Sequence, residues 1–203
     1  MKRIEFGIVA AVGLLVLFAA RAAGAAADYH GLRVEPPKAV AGHRLLDPKS
    51  QPTAFPLARG TWQLVFFGYT HCPDVCPMTL HKTSMLMKEL GADGARLTPV
   101  FISIDSGRDA PQAMGDYIGR FEVPVVGLTG EAETLQAVAN EFGVLTRRFQ
   151  GKTALAYTLE HSSFLYLLDP QGRVRMLYPG TADIQGIAED LRRLWREPEA
   201  RRR

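Results

Sequence analysis

The chain has 203 residues, 47% hydrophobic and 22% charged, with a formal net charge of +3. Beyond about Asp28 its length suits one domain with a core of its own. The positive charge sits at the two ends, Lys2, Arg3 and Arg21 in one and Arg201 to Arg203 in the other, so the near-neutral body argues against a nucleic-acid-binding surface.

Residues 1–27 read as an export segment. Lys2 and Arg3 precede an apolar or glycine run from Phe6 to Ala20, followed by Arg21 and a small-residue exit to Ala27. The run is short against the roughly 20 residues of a spanning helix, so two outcomes follow. Cleavage after Ala27 releases a soluble periplasmic protein, or the segment stays as an inner-membrane anchor with its basic end inside. Residues 28–44 read as a tether, residues 45–196 as the folded domain, and residues 197–203 as a disordered basic tail.

Short extended pieces are expected around Ala39–Val40 and His43–Leu45. Trp62 to Tyr69 is an apolar and aromatic run, the signature of a buried strand. Pro77, at a first helical position, opens a helix to about Leu90 whose inner face carries Leu80, Met87 and Leu90. Leu97 to Ile104 is a second buried strand. Met114, Tyr117, Ile118 and Phe121 fall at helical spacing, and so do Leu135, Val138, Ala139 and Phe142 after a short strand at Val125 to Leu128. An irregular stretch is expected from Gly143 to Glu160. Strands over Ser163 to Leu168 and Val174 to Tyr178 then flank the turn Asp169-Pro-Gln-Gly172, and a last helix carries Ile184, Ile187, Leu191 and Trp195. The order β-α-β-α-β-α-β-β-α predicts an α/β fold with a central mixed sheet flanked by helices.

The only cysteines, Cys72 and Cys76, stand between the first buried strand and its helix. A disulfide between them would close a very small loop and add little stability. Thiols near a helix N-terminus have a lowered pKa, because unpaired N–H groups and the helix dipole favour the thiolate. Thiolates serve redox chemistry and metal binding alike, and soft sulfur donors favour Cu(I). The pair alone leaves both uses open.

Five segments together carry a resemblance. F-F-G-Y-T-H-C-P-D-V-C-P (66–77), F-I-S-I-D (101–105) with Arg108-Asp109, G-L-T-G (127–130), E-H-S-S-F-L-Y-L-L-D-P-Q-G (160–172) and the closing amphipathic helix resemble the Sco/SenC copper chaperones of the thioredoxin-like superfamily, in that family's order. The resemblance implies a thioredoxin-like fold and one copper ion held by Cys72, Cys76 and His161. It implies delivery of copper to the binuclear copper centre of a cytochrome c oxidase subunit, or maintenance of that subunit's cysteines in the reduced state by Cys72 and Cys76 as a redox pair. The oxidase subunit, a periplasmic thiol reductase, a copper donor and the membrane are the implied partners. Two departures from the family pattern stand out: Glu160 is where Asp is usual before the histidine, and Ser106-Gly107 replaces the usual Pro-Glu ahead of Arg108-Asp109.

Other polar residues have plainer readings. His30 and His43 are expected to be solvated, His81 to lie on a helix surface and His71 to neighbour Cys72 without ligating. Asp74 is assigned no chemistry, and Asp105, Arg108 and Asp109 are expected to order the loop after the second buried strand. A thiol–disulfide oxidoreductase competes with the chaperone, although its usual spacing is C-x-x-C. A peroxidase fits less well, since no distant resolving cysteine exists.

Overall fold

The computed structural model describes residues 29–57, 60–153 and 156–197. Among them are ten strands and four α-helices. The strands are β1 (Leu32–Ala39), β2 (His43–Leu46), β3 (Pro52–Phe55), β4 (Trp62–Gly68), β5 (Leu97–Ser103), β6 (Val126–Leu128), β7 (Thr146–Gln150), β8 (Tyr157–His161), β9 (Phe164–Leu168) and β10 (Arg173–Pro179). The helices are α1 (Val75–Leu90), α2 (Pro111–Ile118), α3 (Ala132–Glu141) and α4 (Ile184–Arg196).

Six strands form the central sheet in the order β1-β10-β9-β4-β5-β6. β4, β5 and β6 run parallel, whereas β9, β10 and β1 each join antiparallel. The expected mixed sheet is therefore present. Both faces of β4 are covered, which explains its unbroken apolar run. Trp62, Leu64 and Phe66 pack with Leu80 of α1, Met114 of α2 and Leu191 of α4 on one side. Val65 and Phe67 point the other way, onto Leu135 and Val138 of α3 and onto Leu45 and Phe55 of the β2–β3 hairpin. Each such side chain removed from water contributes about 1.5–3 kcal/mol.

Local chemistry sets the element ends. Pro111 occupies the first turn of α2, where a missing N–H costs nothing. The Asp183 side chain caps α4 by accepting from the Gly186 N–H at 3.1 Å. In the β9–β10 turn, Asp169 accepts from the Gln171 and Arg173 N–H groups, both at 3.0 Å, which is the turn chemistry expected of that position.

The structure departs from the sequence reading at several places. α1 begins at Val75, two residues before Pro77, so Cys76 lies inside the first turn of the helix. α2 ends at Ile118, and Phe121 packs on the core from beyond it. Residues 32–39, within the expected tether, form β1 on the edge of the main sheet. Glu197, placed in the expected tail, accepts from Arg33 Nη1 at 2.6 Å. The stretch after Gly143, expected to be irregular, carries the β7–β8 hairpin, and His161 is the last residue of β8. The expected export segment, residues 1–27, lies outside the described residues. Among the described residues no helix is long and apolar enough to cross a membrane.

Candidate metal centre

β4 ends at Gly68, and the chain turns through Tyr69 to Asp74 before α1. An added Cβ at Gly68 would lie 2.5 Å from Cys76 Sγ and 2.7 Å from the Phe101 ring, so only glycine leaves room for the thiol. Cys76 is buried and Cys72 half-buried, and both are free thiols. The Cys76 N–H, one of the orphan donors of the helix start, points at Cys72 Sγ at 3.4 Å.

β8 brings the third group. His161 Nε2 lies 3.7 Å from Cys76 Sγ. Its Nδ1 lies 3.1 Å from the Ser162 carbonyl, which can only accept, so Nδ1 is a donor there and Nε2 faces the thiols. The Tyr69 ring meets the imidazole edge-on at 6.2 Å between centroids. The ligand atoms of Cys72, Cys76 and His161 all lie within 4.8 Å of one another, and this is the one such group among the described residues. Two bonds of the length seen for thiolate and imidazole ligands bridge roughly 4 Å, so the 3.7 Å separation suits a shared ion. Two sulfurs and an imidazole are the donor set that copper favours.

The two thiols have opposite tendencies. A hydrogen bond from Cys76 pulls the Cys72 thiol down to about 3 against the cost of burial, helped by His161 and by the Asp74 and Cys76 N–H groups. The same hydrogen bond, together with burial, pushes Cys76 far up. Between the two, a negative charge is therefore favoured on the more exposed sulfur, Cys72, over the buried Cys76. Cys72 and His161 line a cleft of about 570 Å³ between the Cys72–Val75 loop and the β7–β8 hairpin, with Leu145 and Val75 exposed at its mouth and Cys76 buried behind.

The plainer residues fall as follows. His71 is exposed, with Nδ1 2.9 Å from Thr70 Oγ1, and lies outside the ligand group. His81 is exposed on α1. His30 reaches Glu189 at 3.1 Å from an exposed position, and His43, expected to be solvated, is half-buried against Glu141 at 2.7 Å. Asp109 is buried and accepts from Ser103 Oγ at 2.7 Å and Thr70 Oγ1 at 2.6 Å, fixing the loop that leads to Cys72. Burial raises the Asp109 carboxyl, opposed by those donors. Glu160 is exposed, across the hairpin from Arg147. Tyr69 and Tyr157 were not singled out by the sequence. The alternation Tyr157, Leu159, His161 was the available signal, since those residues share one half-buried face of β8.

A parallel β-α-β core, an antiparallel return and a cysteine pair at the first helix place the chain among thioredoxin-like thiol proteins. Residues 34–196 match the SCO1/SenC family, and the chain belongs to it. The mitochondrial SCO2 homolog of Mus musculus is 36% identical over 151 residues, 73% of this chain and 59% of that protein. The chain thus spans somewhat over half the length of that relative. The structure of Bradyrhizobium japonicum ScoI with copper bound superposes with a TM-score of 0.69 at 31% identity, covering 76% of this chain and 98% of that one. Apo Sco1 from Thermus thermophilus gives 0.74 at 29% identity, covering 84% and 99%.

Proposed function

We propose that this chain binds one copper ion through Cys72, Cys76 and His161 and delivers it to the binuclear copper centre of a cytochrome c oxidase subunit. What supports the reading most directly is the convergence of two sulfurs and an imidazole within 4.8 Å, with Cys72 and His161 lining an open cleft. Such a site can be loaded from one carrier and emptied to another by ligand exchange, because the half-exposed Cys72 can meet an incoming thiolate. Membership of a family with copper-bound members supports the choice of metal. The basic, apolar leader supports work outside the cytoplasm, at the periplasmic face of the membrane.

The test is a copper titration of anaerobically reduced protein. Wild type takes up one equivalent of Cu(I) or Cu(II). His161→Ala keeps Cu(I) on its two thiols but loses Cu(II), and Cys72→Ser or Cys76→Ser loses both. Wild-type Cu(II) affinity in His161→Ala would rule out the three-ligand site.

One observation favours a second reading, reduction of the oxidase subunit's own disulfide. Cys72, its thiol pKa lowered, lines the cleft, with the buried Cys76 thiol, its pKa raised, behind it. It would attack a target disulfide to form a mixed disulfide and release the first target thiolate. Cys76, on losing its proton, would then attack Cys72 Sγ, freeing the second target thiol and leaving a Cys72–Cys76 disulfide for an external thiol reductant to reopen. Undiminished reduction of an oxidase-subunit peptide by His161→Ala, with full oxidase assembly in cells carrying it, would favour this reading over copper transfer.

A further inference from the structure

We propose that Asp105, Arg108 and Tyr157 form a clamp that fixes the β7–β8 hairpin against the β5–α2 loop and thereby sets the reach of His161 to the thiols. This rests on the three-ligand reading above and assigns positioning residues to it.

The hairpin needs such a device. Among the described residues β7 and β8 form a two-stranded sheet apart from the main one, and every residue of β7 is exposed. An isolated hairpin is marginal in water, yet this one carries the imidazole of a site whose buried sulfur, Cys76, is set by the first turn of α1 against the core. Something has to hold the hairpin in place.

The contacts converge on Arg108. Its Nε donates to Asp105 Oδ2 at 2.6 Å, and its Nη1 donates to the Tyr157 carbonyl at 2.9 Å, at the first residue of β8. The guanidinium lies 3.5 Å from the centroid of the Tyr157 ring and 5.5 Å from that of Tyr69. The Tyr157 hydroxyl in turn donates to Asp105 Oδ1. Asp105 is buried and the Arg108 side chain only 9% exposed, so these are not loose surface pairs. Two residues further along β8, the Leu159 N–H donates to the Tyr69 hydroxyl at 3.3 Å, and Tyr69 touches the imidazole. The same loop reaches the sulfur side through Asp109 and Thr70. One short segment, residues 105–109, therefore holds both halves of the candidate centre.

Gly107 belongs to this arrangement. A Cβ there would lie 3.2 Å from the Tyr157 hydroxyl and 3.6 Å from Asp105 Oδ1. The bare backbone lets the tyrosine close over the loop. The Ser106-Gly107 departure from the family pattern and the tyrosine clamp thus fit each other.

The experiment compares wild type with Arg108→Ala, Arg108→Lys and Tyr157→Ala, with thermal unfolding confirming that each is folded. Hydrogen exchange of the metal-free proteins reads the hairpin directly. Amides of Tyr157 to His161 should exchange about tenfold faster or more in Arg108→Ala and Tyr157→Ala, while those of β4 and β5 stay at wild-type rates. On Cu(II) loading, both variants should lose affinity by about tenfold or more and show an altered nitrogen hyperfine pattern, with Cu(I) affinity nearly unchanged. Arg108→Lys should not restore either property, because an ammonium cannot pair, donate to the carbonyl and stack at once. Wild-type exchange in the hairpin of Arg108→Ala would overturn the clamp whatever the copper result. Wild-type Cu(II) affinity and spectrum beside a loosened hairpin would overturn its control of His161. If wild type itself takes no copper, the three-ligand reading falls, and hairpin exchange still decides the clamp.

Discussion

His161 Nε2 sits 3.7 Å from Cys76 Sγ, although the two residues are 85 positions apart in the chain. The two reach the same point from opposite sides. Cys76 is set by the first turn of α1 on the sheet, and His161 by the end of a hairpin that stands off it.

The sulfur side depends on the absence of a side chain at Gly68. Gly68→Ala would drive a methyl against Cys76 Sγ and Phe101, both buried and unable to yield freely. The expected result is a loss of about 1–3 kcal/mol in stability, as for other overpacked cores, with weakened copper uptake. Urea unfolding and a copper titration check it. Unchanged stability would mean that β4 can shift at its end without cost.

The unequal thiols give a pH signature. An ordinary thiol, with pKa about 8.5, reacts with iodoacetamide about tenfold more slowly per pH unit below that value. Cys72, held down to about 3 by the hydrogen bond from Cys76, is expected to stay a thiolate throughout the mildly acidic range. Alkylation followed by mass spectrometry should label Cys72 alone, at a rate nearly flat between about pH 5 and pH 7. In Cys76→Ala the side-chain donor is gone and the pH dependence should steepen. A wild-type rate that fell tenfold per unit would show Cys72 to be ordinary.

The sheet and helices were legible because burial writes a clear period. The β4 run is buried on both faces, and Met114 and Tyr117 of α2 face one core while Leu135 and Val138 of α3 face the other. The hairpin was not legible, since β7 reads Thr-Arg-Arg-Phe-Gln with no buried face to impose alternation. β1 was obscured by its prolines and by its edge position, where one neighbour suffices. The cysteine pair could be read as reactive from its place before a helix, whereas His161 was reached through resemblance. The clamp joins residues 105–108 to Tyr157 across the fold, and nothing local in either segment announces the other.

Arg175 is fully buried in β10, 3.6 Å from Asp169 and 3.5 Å from Glu197. A buried charge pair is costly to break from one side, because the partner stays behind unpaired. Arg175→Ala should lose about 3 kcal/mol. Arg175→Met keeps most of the volume, and with Arg173 still 2.7 Å from Asp169 it should lose clearly less. Equal losses in the two variants, measured by denaturant unfolding, would show that charge pairing sets the cost.

The same carboxylate, Glu197, ties β1 to the end of α4. Burial alone would raise its pKa, but hydrogen bonds from Arg33 and Tyr29 overcome that and leave it below the usual carboxylate range. A depressed folded pKa means that the unfolded chain binds the proton more readily. The stabilisation is therefore complete above the ordinary carboxylate pKa and is lost as pH falls through the folded value. Arg33→Met removes the main donor, so Glu197 should return toward its ordinary pKa. At pH 7 the variant should be less stable by about 1 kcal/mol, a figure kept small because Arg33 is a quarter exposed. The gap should close on acidification, since wild type then loses what the variant lacks. Unfolding free energies measured from neutral to acidic pH check this, and a constant gap would show that Arg33 acts through packing and that β1 is not held by charge.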